Sequence, residues 1–176
     1  MTDSLQKNEL LAQAVRAQAA QIVQSLAAAL TQRGWMMTSA ESCTGGLIAA
    51  ACTDLAGSSD WFERGFVTYS NAAKTELLSV PAHVIARHGA VSEPVARAMA
   101  RGAVAHARAH ASVAVTGVAG PGGGSVDKPV GTVWFGWHVP GVTETECRRF
   151  DGDRAAVRAQ TVAHALARLL ELLPPA

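Results

Sequence analysis

The stretch ASVAVTG, residues 111–117, is the feature that most limits how this chain can fold. It is almost wholly apolar, it contains β-branched residues, and it shows no polar face before Thr116. A strand with this pattern is typical of the middle of a sheet that helices cover on both sides. The stretch therefore predicts an α/β protein.

Strand and helix patterns alternate along the rest of the chain. Strand–helix–strand units favour parallel pairing with right-handed crossovers, whereas the short turn at Pro140-Gly141 must join antiparallel strands. We predict a three-layer α/β/α sandwich with a mixed, mostly parallel sheet of about five strands. The other predicted strands are WMMTSA at 35–40, FERGFVTYS at 62–70, GTVWFGWHV at 131–139 and TETECRRF at 143–150.

Apolar residues at helical spacing predict the helices, and capping residues predict their ends. One helix should begin near Thr44, and Asn71 can cap the next. Either Asp151 or Asp153 can cap the last helix. The predicted helices cover residues 9–33, 44–55, 71–80 and 92–108, with a short helical turn at 83–89 and a final helix after residue 153.

The composition fits one globular domain spanning residues 1–176, with residues 1–9 expected to form a flexible tail. Apolar residues make up 49% and charged residues 16% of the chain. The net charge of +1 argues against nucleic acid or an anionic membrane as a partner, because both require clustered surplus Lys and Arg. No stretch approaches the roughly 18 apolar residues of a membrane span, and MTDSLQKNEL does not resemble a secretory signal, so we expect a cytoplasmic location.

The chain has three cysteines, Cys43, Cys52 and Cys147, and their spacing does not suggest a disulfide framework. Neither C-x-x-C nor H-E-x-x-H occurs, and the six histidines are scattered. The sequence therefore predicts no metal site.

Polar and glycine-rich segments follow three of the predicted strands. Ligands of open α/β sheets bind beyond the carboxyl ends of the strands. If these strands are parallel neighbours, their following segments meet at one edge of the sheet and form a candidate site. The segments are Ser39–Gly46, Thr68–Asn71 with Lys74 one turn further on, and Thr116–Ser125.

The first segment joins a candidate nucleophile, Ser42 or Cys43, to exposed backbone. Gly45 and Gly46 lack Cβ, so their N–H groups can approach a phosphate or a developing oxyanion closely. The alternative is a Ser/Thr helix cap followed by tight packing on glycine.

A serine nucleophile needs a base, and no histidine lies in the three segments, so Lys74 is the candidate. Burial would lower its pKa; the alternative is an ordinary solvated lysine. Glu41 could orient Lys74 or bond backbone donors at the turn. Cys43 fits a small buried residue, with a cysteine-dependent hydrolase as the alternative. Tyr69, the only tyrosine, could contact a ligand or be a rim residue.

The loop VAGPGGGSVDKP at 118–129 matches neither a Walker A motif nor G-x-G-x-x-G. Its glycines let the backbone wrap a ligand, and Ser125 and Lys128 can bond anions. The alternative is a flexible lid or a long connection. The arginines that could hold a phosphate bidentately, or form only a solvated basic face, are Arg148, Arg149, Arg154 and Arg158.

Three stretches of the chain together resemble the C-terminal domain of the competence/damage-inducible CinA family. They are TSAESCTGGLIAAACTDLAGSSDWFERGFVTYSNAAKTELLSV, GAVSEPVA and VAVTGVAGPGGGSVDKPVGTVWFGW. The resemblance implies a three-layer α/β/α fold with a mixed sheet. It also implies an amidohydrolase that converts nicotinamide mononucleotide to nicotinate mononucleotide and ammonia, within pyridine-nucleotide recycling. We expect the stand-alone form of this domain.

The resemblance further implies roles for individual residues. Ser42 would be the nucleophile and Lys74 its base, Tyr69 and Thr116 would position the pair or the substrate, and no cofactor or metal is needed. The residues expected to bind the substrate are Glu41, Cys43, Thr44, Gly45, Gly46, Gly122, Gly123, Gly124, Ser125 and Arg154, with Arg158 and Lys128 as further candidates for its phosphate.

Two further expectations concern the assembly and the function class. The apolar faces of the two terminal helices are compatible with a homo-oligomer. The alternative to an enzyme is a nucleotide-binding or regulatory module of the same fold that has lost turnover.

Overall fold

The computed structural model describes residues 2–175, with side chains from Gln6 onward. Within this range, helices and strands alternate as the sequence predicts. Their bounds are α1 Thr2–Arg33, β1 Met37–Glu41, α2 Leu47–Thr53, β2 Phe62–Val67, α3 Asn71–Leu78, α4 Ala82–His88, α5 Glu93–Ala105, β3 Ala111–Gly117, β4 Thr132–Val139, β5 Val142–Arg149 and α6 Arg154–Leu172, with a short 3-10 helix at Ser58–Asp60.

The five strands form one mixed sheet in the order β2-β1-β3-β4-β5. Strand β1 pairs in parallel with both β2 and β3. Strand β4 is antiparallel to β3 and to β5, so four of the five strands run in the same direction. Glu41 lies opposite Val67 of β2 and Val115 of β3, so the carboxyl ends of three parallel strands meet at one edge.

Two apolar cores lie on the two faces of the sheet. Val113 and Val115 of β3 belong to the core under α1, α2 and α6, whereas Ala114 belongs to the core under α3, α4 and α5. The alternation follows from the period of two along a strand. It confirms the predicted three-layer sandwich with a central strand covered on both sides.

Several helix ends differ from the prediction. Helix α2 begins at Leu47 rather than near Thr44, because Gly45 and Gly46 have left-handed backbone with φ of 59° and 99°. Ser70 rather than Asn71 caps α3, since its side chain accepts from the N–H of Ala73.

Other boundaries are as predicted or extend further. Asp153 caps α6 by accepting from the N–H of Ala156. The short helical turn forms α4, and α5 ends at Ala105, before Arg108. Helix α1 extends back to Thr2, because residues 2–9 contain no glycine or proline that would end it. These residues are helical where a tail was expected, and their flexibility stays a prediction.

Among the described residues, no helix combines the length and the apolar character that a membrane crossing requires.

Candidate active site

A cavity of about 210 Å³ opens at the edge of the sheet where β1, β2 and β3 end. Each of the three predicted segments contributes to its wall, since parallel strands deliver their following loops to the same edge. Residues from the α4–α5 connection and from α6 complete the wall. The lining residues are Ser42, Cys43, Tyr69, Asn71, Lys74, Ala90, Val91, Thr116, Gly117, Ala119 and Arg154.

The structure brings Lys74 and Ser42 together at this cavity. Lys74 lies in the first turn of α3 and is only 1% exposed. Its Nζ is 3.1 Å from Ser42 Oγ. The amine also donates to the backbone carbonyl oxygens of Thr68, at 2.8 Å, and Tyr69, at 3.5 Å. Two backbone acceptors therefore hold the amine against the serine hydroxyl.

The surroundings of Lys74 favour the neutral amine. Burial lowers its pKa below the ordinary value of 10.5, and the charge interaction with Cys43 opposes this by a smaller amount. Among the residues whose side chains are described, no ion pair includes Lys74. An ammonium group without a carboxylate partner is costly to bury, which is the physical cause of the lowered pKa.

Glu41, the residue directly before Ser42, is completely buried. Of the two roles that the sequence left open for it, the structure supports the bonding of backbone donors at the turn. Its carboxylate accepts five hydrogen bonds, and Lys74 is not among the donors in the described part of the chain. The donors are Ser39 Oγ at 3.2 Å, Thr44 Oγ1 at 2.7 Å and the N–H groups of Gly46 at 2.9 Å, Ile48 at 3.0 Å and Ala49 at 2.8 Å.

Cys43 lies beside Ser42 but is chemically quiet. It is 6% exposed, as expected of a small buried residue. Burial raises the pKa of its thiol to about 12, although its own backbone N–H lowers it in part. A thiol in this state carries almost no nucleophilic thiolate near neutral pH.

Arg154 connects three parts of the site. Its Nη1 donates to the carbonyl oxygen of Gly120 at 2.8 Å, and its Nη2 donates to the hydroxyl of Tyr69 at 3.2 Å. The same side chain lines a second cavity of about 650 Å³, together with Pro121 and Arg158. The two cavities share Ala119 and Arg154, so they adjoin.

Arg158 is the second arginine of this neighbouring cavity. Its Nη2 donates to the carbonyl oxygen of Thr44 at 2.7 Å. Its buried Nε has no hydrogen-bond partner in the described part of the chain.

Thr116 lines the cavity and also ties the third loop to a neighbouring connection. It is 1% exposed, and its hydroxyl donates to the carbonyl oxygen of Ala90 at 2.9 Å. The bond ties the end of β3 to the α4–α5 connection, which carries Val91 into the cavity wall.

The tip of the glycine-rich loop does not reach either cavity. Ser125 and Lys128 close a turn of their own, since Ser125 N–H donates to the Lys128 carbonyl and Lys128 N–H donates to Ser125 Oγ. Lys128 Nζ bonds the carbonyl oxygen of His88, away from the arginines. Gly120 and Pro121 are the loop residues that line the second cavity. The candidates that the structure leaves outside both cavity walls are Gly122, Gly123, Gly124, Ser125 and Lys128.

Gly45 and Gly46 are also not free donors. Gly45 N–H donates to the Ser42 carbonyl at 3.1 Å, and Gly46 N–H is taken by Glu41. Thr44 is buried, and its hydroxyl bonds the same carboxylate. These three residues therefore shape the turn rather than line the cavity.

Sequence reasoning missed some residues of the cavity wall. Ala90 and Val91 lie in a connection between two helices, whereas the predicted site included only segments that follow strands. Asn71, which belongs to the second predicted segment but was given no individual role there beyond capping, also lies at the cavity. The available signal was the GAVSEPVA stretch, whose Gly89 turns the chain with a φ of 75°.

The described residues contain no group of three or more His, Cys, Asp or Glu side chains arranged to hold a metal ion.

The chain is a mixed α/β protein in which a serine and a buried lysine are in contact beyond the parallel strand ends, an arrangement that serine–lysine hydrolases also use. Comparison with known proteins gives the family. The CinA C-terminal domain model matches residues 19–173, and the chain belongs to that family.

Relatives and solved structures agree with this assignment. A nicotinamide-nucleotide amidohydrolase PncC from Escherichia coli strain K12 is 54% identical over 149 residues, which are 83% of this chain and 89% of the relative. A protein of the same name from Pseudomonas putida is 58% identical over 136 residues, covering 77% and 85%. The crystal structure of the competence damage-inducible protein A from Klebsiella pneumoniae superposes with a TM-score of 0.85 at 44% identity, covering 88% of this chain and 96% of that one.

The same domain also occurs within longer proteins. A CinA-like protein from Akkermansia muciniphila is 52% identical over 143 residues, which are 81% of this chain but 34% of that protein.

Proposed function

We propose that this protein hydrolyses the carboxamide of nicotinamide mononucleotide to nicotinate mononucleotide and ammonia, with Ser42 as nucleophile and Lys74 as base. The observation that carries the proposal is the 3.1 Å contact between a buried lysine amine and a serine hydroxyl at a cavity. The relatives named as nicotinamide-nucleotide amidohydrolases, at more than half identity, supply the substrate class.

The hydrogen bonds of Lys74 suit a general base. A neutral amine has two N–H groups and one lone pair. The two N–H groups can donate to the carbonyl oxygens of Thr68 and Tyr69. The lone pair then faces Ser42 Oγ and can accept the hydroxyl proton.

The reaction proceeds as acyl transfer. Lys74 takes the proton of Ser42 while Oγ forms a bond to the carboxamide carbon, which gives a tetrahedral oxyanion. The intermediate collapses, the C–N bond breaks, and the Lys74 ammonium donates its proton to the departing nitrogen as ammonia leaves. Water then attacks the carbonyl carbon of the Ser42 ester while Lys74 accepts one of its protons. The C–Oγ bond breaks, Lys74 returns that proton to Oγ, and the carboxylic acid loses its remaining proton to solvent and leaves as nicotinate.

The two adjoining cavities can divide the substrate between them. The smaller cavity, beside Ser42, suits the pyridine carboxamide. The larger one, with Arg154 and Arg158, suits the ribose phosphate, because guanidinium groups bind phosphate through charge-assisted hydrogen bonds.

An ammonia-release assay with nicotinamide mononucleotide, the dinucleotide and free nicotinamide tests the proposal. The mononucleotide should be the best substrate, and Ser42→Ala should lower kcat by at least about 10⁴-fold. Ser112→Ala is a matched control, since this buried serine bonds the Ala100 carbonyl away from the cavity and its loss should leave kcat unchanged.

The second candidate is a nucleotide-binding regulatory module. It is favoured by the presence of this domain within a longer protein. Wild-type protein that binds nicotinamide mononucleotide in calorimetry but releases no ammonia would support this candidate and refute the amidohydrolase.

A further inference from the structure

In the turn after β1, N–H groups that follow Ser42 in the sequence donate to Glu41, the residue before it. Glu41 precedes the nucleophile, yet its carboxylate reaches forward to the beginning of α2 and accepts the N–H groups of Gly46, Ile48 and Ala49. The first N–H groups of a helix have no partner within the helix. Here a completely buried carboxylate binds them from inside the protein.

Nearly every N–H group in this region has an acceptor. Seven of the nine N–H groups from Ser42 to Ala50 donate to protein oxygens. Of these nine, the N–H groups of Cys43 and Thr44 donate to no protein oxygen in the part of the chain that the structure describes. The bonded groups are those of Ser42, Gly45, Gly46, Leu47, Ile48, Ala49 and Ala50.

The two free donors directly follow the nucleophile. In α/β hydrolase sites, the N–H of the residue after the nucleophile is a usual oxyanion donor. Cys43 lines the same cavity as Ser42. The peptide groups beside the free donors are fixed, since the Ser42 carbonyl accepts from Gly45 and the Thr44 carbonyl accepts from Arg158.

We propose that Glu41 is a positioning residue for the hydrolysis proposed above. Its carboxylate holds the turn in the conformation that leaves the N–H group of Cys43, a residue of the cavity wall, for the tetrahedral oxyanion. The inference rests on the proposed function. It replaces the expectation that Gly45 and Gly46 supply these donors, because both are already bonded.

The substitution Glu41→Gln tests the role of the carboxylate. It keeps the shape of the side chain but presents one NH₂ group where only acceptors fit. We expect kcat to fall about 10²-fold, the loss typical of one oxyanion donor. KM and the affinity for the product, nicotinate mononucleotide, should stay close to wild type, because ground-state binding does not use the oxyanion donors.

A second readout separates positioning from general stability. Pyridine-3-boronic acid is the probe, since its boron can accept Ser42 Oγ and form a tetrahedral anion. Its affinity should fall in Glu41→Gln by the same factor as kcat, and Ser42→Ala should abolish adduct formation. Ser112→Ala, which also removes a buried hydrogen bond, should lower the Tm and leave kcat and boronate affinity unchanged.

The results for Glu41→Gln and Thr44→Val each support or overturn the proposed role of Glu41. A folded Glu41→Gln protein with wild-type kcat and boronate affinity overturns the proposal, as does an equal loss of product and boronate affinity. If Glu41→Gln does not fold, Thr44→Val decides, because it removes one of the five bonds to the carboxylate. Several-fold losses of kcat and boronate affinity support the proposal, and unchanged values overturn it.

Failure of the proposed function is distinguishable from failure of this inference. Wild-type protein that forms the boronate adduct but releases no ammonia ends the proposed function, while boronate affinity still measures the effect of Glu41→Gln. Wild-type protein that does neither overturns both.

Discussion

Arg154 lines both cavities, so changing it should alter substrate selection more than chemistry. For Arg154→Gln, we expect kcat/KM for nicotinamide mononucleotide to fall about 10- to 100-fold. A charge-assisted hydrogen bond contributes about 1.5–3 kcal/mol, and about 1.4 kcal/mol corresponds to a factor of ten. The kcat/KM for nicotinamide riboside, which has no phosphate, should change by less than about threefold.

For Arg154→Gln, we expect the fall in kcat/KM to lie in the upper part of the range of about 10- to 100-fold. Arg154 is already held by the Gly120 carbonyl at 2.8 Å and the Tyr69 hydroxyl at 3.2 Å. A guanidinium group has five N–H donors, so two bonds leave others for a phosphate. Because the side chain is ordered before the substrate arrives, little of the binding free energy is lost in ordering it.

The assay is ammonia release at several concentrations of each substrate, with two comparison variants. Arg154→Lys keeps the charge but loses the planar fork, so its loss should be intermediate. Lys128→Gln is the control, because Lys128 bonds the His88 carbonyl outside both cavity walls, and its kcat/KM should match wild type. Equal losses on the mononucleotide and the riboside, or a larger loss in Lys128→Gln, would refute the assignment.

Three further predictions follow from the geometry. With the neutral amine of Lys74 as the proposed base, kcat/KM should rise with pH and level off above a midpoint below 10.5, and a pH profile that falls over this interval would contradict the assignment. Cys43→Ala should retain ammonia release within about threefold, since a thiol with a pKa near 12 is not a nucleophile. A loss of activity as large as that of Ser42→Ala would instead support the cysteine-dependent hydrolase. Gly45→Ala should lower the free energy of unfolding in urea by about 1–2 kcal/mol because of its φ of 59°, whereas Gly122→Ala, with open space around it, should be nearly neutral.

The fold was predictable because the central strand, β3, is apolar on both of its faces. Val113 and Val115 pack on one core and Ala114 on the other, so an apolar stretch without a polar side implied helices on both faces. The beginning of α2 was not predictable in the same way. Thr44 is a good helix cap by residue type, but the two glycines after it adopt left-handed backbone, which composition alone does not specify.

The candidate site was predictable where parallel strands determine it. Ser42 and Lys74 are far apart in the sequence, yet both follow strands that pair side by side, so their convergence is a consequence of the sheet. The role of the glycine-rich loop stays a prediction. Glycine allows many backbone conformations and favours none of them. The tip of the loop is held by hydrogen bonds among Ser125, Lys128 and His88, and not by residues of the candidate site.

The burial of Lys74 could not be predicted from the sequence alone, and it is what lowers the pKa of the amine that we propose as the base. The partners of the amine, apart from Ser42, are backbone carbonyl oxygens of Thr68 and Tyr69, which any residue types at those positions would provide. Residue identity therefore supplies the serine and the amine, whereas burial in the folded chain lowers the pKa of Lys74. Substitutions of the Tyr69 side chain should accordingly act on Arg154 and substrate binding, and leave the position of Lys74 intact.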